Sequence, residues 1–196
     1  MNHPLRALDI RKQKISLGFT LVELLVVISI IGLLVGLLAA GIPLAIEKGM
    51  TAKAKGETTA IVAAIKAYKQ EYGKFPGDPT VANRLFSSNS SPDTMNSLMK
   101  VLSGDAATTL NGEIANPKGV RFFEGAKINE KNVMADPWGG QYLVLVDSTE
   151  TGSVTYTNAG TPANVRVSVL AICYGKDGIA DTATKTKNDI FSTDLK

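Results

Sequence analysis

The sequence is poor in the residues on which most enzymes and zinc sites depend. Its 196 residues include one histidine, His3, and one cysteine, Cys173. A Ser-His-Asp or Cys-His catalytic arrangement therefore cannot be built away from the N-terminus, and the usual zinc ligand sets are excluded. A single cysteine also excludes an internal disulfide. We expect a protein that is not an enzyme and that is held together by other means.

Once the N-terminus is set aside, the sequence also lacks an excess of charge of either sign. The whole chain carries a formal net charge of +3. All of that excess lies before residue 19, where there are four basic residues, Arg6, Arg11, Lys12 and Lys14, and one acid, Asp9. A chain that begins at residue 19 would be formally neutral. The composition therefore does not indicate nucleic-acid binding.

What the sequence does have is one long apolar run. No charged residue occurs from Leu24 to Ile46, a stretch of 23 residues. As a helix it would be about 35 Å long, more than the roughly 20 residues that cross a bilayer. Basic residues precede it, so the positive-inside rule places the N-terminus in the cytoplasm. The sequence predicts a single-pass membrane helix with the rest of the chain on the far side.

Three interpretations of this segment compete. A cleaved secretory signal peptide has an apolar core of only about 7–15 residues, and Pro43 follows the small residues Ala39–Gly41 too closely for a good cleavage site. A simple signal anchor explains the length of the apolar run but does not explain the presence of Glu23. A carboxylate near the bilayer centre costs about 2.5–3.5 kcal/mol, less near its edge, and usually has a partner. The third interpretation accounts for Glu23 as well.

The segment Gly18–Ile28, GFTLVELLVVI, resembles the type IV prepilin signature of type IV pilins and type II secretion pseudopilins. It has a small residue, an aromatic, threonine, leucine, an aliphatic residue and glutamate before a long apolar run. The resemblance implies that a prepilin peptidase cuts between Gly18 and Phe19 on the cytoplasmic face and methylates the new amine of Phe19. It also implies that the mature subunits polymerise into a helical filament.

The chemistry of the cut chain suggests what Glu23 does. Cleavage would leave a positive amine on Phe19 near a carboxylate in an apolar environment. Because an unpaired buried charge is costly, we expect Glu23 to pair with the N-terminal amine of a neighbouring subunit and so to set the axial register. Gly32 and Gly36 form a small-xxx-small pattern that permits close helix approach, although glycine is frequent in membrane helices anyway. Pro43 predicts a kink.

Past the apolar run, the sequence predicts more helix and then loops. Apolar residues recur every three or four positions from Ala60 to Tyr72, which predicts an amphipathic continuation ending at Gly73. The following insert contains turn residues, a short helix around residues 98–102 and a short strand at residues 120–123.

The C-terminal half predicts antiparallel strands. Tyr142–Val146 and the longer run 165–173 have strand composition, and a loop over residues 152–160 joins them. Cys173 ends the second strand and is expected to be a small buried side chain. Before these strands, Asp136–Tyr142 resembles the DPWG-x-x-Y segment of major pseudopilins. The helix end Tyr68–Pro76 is similar to that of the same family.

The last segment, from residue 174 onward, suggests a cation site. Its spacing excludes an EF-hand, but its order of residues resembles the calcium loop of major pseudopilins. Carried over by position, the ligands would be Asp177, Asn188, Asp189 and the carbonyl of Tyr174, with Asp181 as an alternative. The residues alone fit a solvated polar turn equally well.

These expectations combine into an α+β, pilin-like fold, in which a long N-terminal helix packs on a small antiparallel sheet. The predicted segments are a leader (1–18), a transmembrane and assembly helix (19–46), its amphipathic continuation (47–73), a variable region (74–135), the sheet (136–173) and the C-terminal loop (174–196).

The resemblance implies a structural subunit of a type II secretion pseudopilus, located in the inner membrane with its C-terminal domain in the periplasm. The implied partners are the prepilin peptidase, further copies of the chain, other pseudopilins and the inner-membrane secretion platform. The alternatives are a type IV pilus subunit for adhesion or DNA uptake and a signal-anchored extracytoplasmic binding module. Many type IV pilins close their C-terminal region with a cysteine pair, so the single cysteine favours the pseudopilin.

Overall fold

The computed structural model describes residues 18–77, 79–87, 94–124, 134–158, 161–179 and 189–192. Its elements are α1 (Leu21–Tyr72), β1 (Arg84–Phe86), α2 (Met95–Leu102), β2 (Thr109–Leu110), β3 (Glu113–Ile114), β4 (Tyr142–Val146), β5 (Val154–Asn158), β6 (Thr161–Val165), β7 (Val169–Cys173) and β8 (Ile190–Phe191). The chain divides into two compact units, Met1–Ala45 and Ile46–Lys196. The expected α+β architecture, a long N-terminal helix followed by a small antiparallel sheet, is confirmed.

In the first unit, the described residues after Thr20 are helical and present apolar side chains to the surroundings. The large apolar side chains from Phe19 to Leu44 are all exposed, by at least 45%. Pro43 lies inside helix α1. By length and composition, α1 is able to cross a membrane. Its apolar residues here are exposed, so this part of the helix is not the core helix of a soluble domain.

In the second unit, α1 buries one face against the sheet. Ala54, Ile61, Ala64, Ile65 and Tyr68 are buried at spacings of three, four and seven, as an amphipathic helix requires. The predicted continuation of the helix is confirmed, although Ala60 is exposed.

The four-stranded sheet has the order β1-β4-β7-β8, and each pair is antiparallel. Tyr142 lies opposite Cys173, and Val146 lies opposite Val169. The predicted strand Tyr142–Val146 is confirmed. Alternate residues of β4 and β7 enter the core shared with α1, and the others pack with Val154 of the hairpin β5-β6. Burial on both faces explains why β7 is apolar at every position.

Two predictions about this region are wrong in part. The run 165–173 is not one strand, because the Val167 N–H donates to the Val165 carbonyl and turns the chain before β7 begins. Residues 152–160 are not simply a loop, because Val154–Asn158 is a strand paired with Thr161–Val165. The hairpin covers the second apolar face of the sheet. Its own residues do not show that this face has to be covered, so the hairpin could not be predicted from them.

The insert contains the predicted short helix, α2, whose N-cap Thr94 accepts a hydrogen bond from the Ser97 N–H. The strand predicted at residues 120–123 is wrong. The N–H groups of Phe122 and Phe123 both donate to the Leu102 carbonyl, so this segment caps the C-terminus of α2 instead of pairing with a strand.

Candidate functional site

The start of α1 is closed by reciprocal hydrogen bonds between two residues of the N-terminal motif. The Glu23 Oε2 accepts bonds from the Thr20 N–H and the Thr20 hydroxyl, both at 2.8 Å. The Glu23 N–H donates to the Thr20 hydroxyl oxygen at 3.2 Å. This is a capping box, in which the N-cap and the third helical residue satisfy N–H groups that have no partner inside the helix.

The capping box gives Glu23 a local partner in the single chain. Both accepted bonds go to Oε2, so Oε1 keeps its lone pairs available for a further donor. Sequence reasoning missed this role, although Thr-x-x-Glu at the start of an apolar helix is its known signal. The carboxylate is therefore held at a defined place at the start of the helix.

The predicted cut site lies directly before this cap. Gly18 and Phe19 are exposed and precede the first helical residue, Leu21. A side chain built on Gly18 would meet no atom within 4 Å. Because these residues are exposed and lie before the helix, a peptidase can approach the bond between Gly18 and Phe19 without unwinding the helix.

The segment Asp136–Tyr142 forms a tight turn around one buried carboxylate. The Asp136 Oδ1 accepts the N–H groups of Trp138 at 2.9 Å and Gly140 at 2.8 Å, and the Cys173 thiol donates to Oδ2 at 3.2 Å. A Cβ on Gly140 would lie 2.8 Å from that Oδ2. Gly139 has φ +89°, a conformation that favours glycine. These contacts explain why the turn needs an aspartate and two glycines.

A hydrogen bond from the side chain of Tyr142 connects the same region to α1. The buried Tyr142 hydroxyl donates to the Glu57 carboxylate, and burial together with this bond raises the pKa of Tyr142. Cys173 is buried as predicted. Burial, with a smaller contribution from Asp136, raises the pKa of its thiol to about 12. A thiol with this pKa is a poor nucleophile at neutral pH.

The candidate calcium ligands fall partly outside the described residues, because Asn188 and Asp181 lie there. Asp177 is exposed, and its Oδ1 accepts the N–H of Ile179 at 3.1 Å. Asp189 is half-buried just before β8, and its charge acts with burial to raise the pKa of Tyr174. Within the described part of the chain, no three His, Cys, Asp or Glu side chains are grouped to hold a metal ion.

A comparison with protein families finds the Prokaryotic N-terminal methylation motif at residues 14–39. Comparisons with characterised proteins and with solved structures find no match. The motif covers the predicted cut site, Glu23 and most of the apolar run, and it supports a type IV pilin-like family. It implies processing by a prepilin peptidase and pilin-type assembly into filaments. With the exposed apolar helix, it indicates a membrane-anchored, single-pass protein.

Proposed function

We propose that this chain is a pseudopilin of a type II secretion system. The prepilin peptidase removes residues 1–18 and methylates Phe19, and the mature subunit waits in the inner membrane with residues 47–196 in the periplasm. With other pseudopilins and the inner-membrane secretion platform, the subunit then assembles into a short fibre that drives protein export. The observation that carries the proposal is the methylation motif, placed at the capped start of an exposed apolar helix.

The physical basis is that the same apolar helix is stable both in the lipid bilayer and in the core of a fibre. The exposed side chains from Phe19 to Leu44 can face lipid in the membrane or other helices in a fibre. The Glu23 Oε1 would accept the methylated amine of a neighbouring Phe19. The turn around Asp136 and the single cysteine support the pseudopilin over the pilus subunit, since they match the major pseudopilin pattern.

Processing is the first expected result. Intact-mass analysis of the membrane-extracted protein should show a chain that starts at Phe19 and carries one added methyl group. A Gly18→Val variant should keep its leader, because a bulky side chain at the cut site blocks the peptidase, while the open space around Gly18 leaves the helix intact. A wild-type protein that retains residues 1–18 would contradict the pilin-like assignment.

Gene deletion distinguishes the two filament systems. We expect a deletion strain to lose secreted proteins from the medium while its surface pili and DNA uptake remain normal. Complementation with the wild-type gene should restore secretion, and complementation with Gly18→Val should not. Normal secretion with lost pili would assign the chain to a type IV pilus instead.

We further propose a calcium ion in the C-terminal loop, held by Asp177, Asn188, Asp189 and the Tyr174 carbonyl. Carboxylate and carbonyl oxygens suit calcium better than softer metals. At 100 times its dissociation constant, calcium would add about 2.7 kcal/mol to the folded state. For a domain of this size that corresponds to roughly 5–10 °C in Tm.

A soluble fragment beginning at Glu47 should therefore melt at a higher temperature in calcium than in chelator. Asp189→Ala should remove the difference. Glu113→Ala, an exposed carboxylate on the β2-β3 hairpin, should preserve it. Identical melting curves for the wild-type fragment in calcium and chelator would show that the loop is a polar turn.

A further inference from the structure

The membrane-proximal end of the unit Ile46–Lys196 brings together two segments that are far apart in sequence. Glu47 is the first charged residue after the apolar run, and the Lys176 ammonium lies 3.8 Å from its carboxylate. Lys176 belongs to the 3-10 turn Gly175–Asp177, which follows strand β7. The turn therefore lies beside Glu47, the residue that follows the apolar run.

This contact places the turn at the depth of the lipid headgroups. The hydrocarbon core of a bilayer is about 30 Å thick, and each headgroup layer adds roughly 5–8 Å. The apolar run is about 35 Å long as a helix, so it crosses the core and leaves Glu47 and Lys48 in the headgroup layer. Lys176, at ion-pairing distance from Glu47, lies in the same layer.

The side chains of the turn suit that layer. Ile179 is 50% exposed, which is unfavourable in water but not at the boundary with the acyl chains. Lys176 is 67% exposed on its side chain, and a lysine can lay its stem along the boundary while its ammonium reaches a phosphate. The acids Glu47 and Asp177 balance Lys48 and Lys176, and Asp177 also accepts a hydrogen bond from the Ile179 N–H. The phosphate and ammonium groups of the lipids can pair with these lysines and acids, respectively.

We propose that the turn Lys176–Ile179 docks into the phospholipid headgroup layer of the membrane that anchors the chain. Lys176 and Lys48 bind lipid phosphates, and Ile179 inserts toward the acyl chains. The turn is thereby held on the membrane while the chain is anchored there. The proposal rests on the membrane anchoring proposed above, but not on the type II role or on filament formation.

The test places an environment-sensitive fluorophore at position 179 of the full chain. Ile179→Cys is labelled with a nitrobenzoxadiazole dye and reconstituted into vesicles of phosphatidylethanolamine and phosphatidylglycerol. The native Cys173 is buried and its thiol pKa is raised to about 12, so it reacts slowly. We expect a blue-shifted emission and quenching by a lipid that carries its quencher at headgroup depth.

The matched control is Ile114→Cys, labelled in the same way. Ile114 is 57% exposed and precedes Ala115, whose carbonyl accepts the hydroxyl of Tyr68. Tyr68 lies about 30 Å from Glu47 along the helix, so the probe at 114 should stay in water. We expect quenching at position 179 to exceed quenching at position 114 several-fold.

A lysine substitution tests the phosphate contact. Lys176→Gln should lower the ratio of docked to undocked turn about fivefold on these anionic vesicles. High salt should bring the wild-type ratio toward that of the variant. Lys74→Gln should change nothing, because Lys74, an exposed lysine paired with Glu113, lies beyond the far end of α1 from Glu47.

The outcomes separate docking from anchoring. Vesicle flotation reports anchoring, and the quenching ratio reports docking. A chain that floats with the vesicles but shows equal quenching at positions 179 and 114 overturns the docking and leaves the anchor intact. A chain that does not float overturns both.

Discussion

Replacing Glu23 by alanine should abolish filament formation while leaving membrane insertion intact. Among the described residues, this carboxylate accepts its hydrogen bonds locally, from the N–H and hydroxyl of Thr20 to Oε2. Insertion depends on the apolar run, and Glu23→Ala makes that run longer and more apolar. Assembly in the proposed filament instead needs a partner for the amine of Phe19, because a buried charge without one costs several kcal/mol per subunit.

Glutamine separates the two roles of Glu23. Glu23→Gln can still accept the Thr20 N–H, since capping boxes use either residue, but it carries no charge. Thr20→Ala does the opposite, because it removes the hydroxyl that bonds to Glu23 and leaves the charge. If charge pairing drives assembly, Glu23→Gln should fail as Glu23→Ala does, and Thr20→Ala should retain most filaments.

The readout is electron microscopy of fibres from cells that overproduce each variant, with membrane fractionation to confirm equal insertion. Wild-type levels of fibres from Glu23→Gln would show that the carboxylate acts only as a helix cap. The pairing with Phe19 would then be lost from the proposed mechanism. Loss of fibres in all three variants would show that assembly needs both the charge of Glu23 and the helix cap.

Elements defined by strong local patterns could be predicted from the sequence. Helix α1 follows from an apolar run and a continued 3.6-residue period, and its end follows from Gly73, which adopts φ +72°. Strand β4 and helix α2 also follow from composition and spacing. The N-terminal part of the candidate site was predictable because every residue of the motif lies within one short segment.

Elements that exist because of distant partners were missed. Residues 120–123 have strand composition, but their N–H groups bond to the carbonyl end of α2. The buried Asn116 shows the same limit, because its amide donates to the carbonyls of Val101 and Val120 and its oxygen accepts from Tyr72. No local pattern shows that an asparagine in a polar loop will be fully buried. Two of these partners, Tyr72 and Val101, come from α1 and α2, which are distant in sequence.

The second large effect is expected from Asp136→Ala, which removes the acceptor at the centre of the buried turn. Asp136 is 5% exposed, and its carboxylate accepts bonds from Trp138, Gly140 and Cys173. Alanine leaves two backbone N–H groups and a thiol without these acceptors. An unsatisfied buried donor costs about 1–3 kcal/mol, so we expect a total loss of about 3–5 kcal/mol. In thermal melts of the fragment beginning at Glu47, Tm should fall by roughly 6–20 °C.

Asp105→Ala is the matched control, because Asp105 also accepts hydrogen bonds within a local turn but is less buried than Asp136. Asp105 accepts the Ala107 N–H and the Thr108 hydroxyl, each at 2.8 Å, in a local turn that is partly exposed to solvent. Water can replace these lost bonds, so the free energy of unfolding should fall by only about 1 kcal/mol. Asp136→Asn should lie between the two, because its amide oxygen can still accept from Trp138 and Gly140. If Asp136→Ala and Asp105→Ala lowered Tm equally, the turn would not depend on a buried acceptor, and the need for glycine at position 140 would require another explanation.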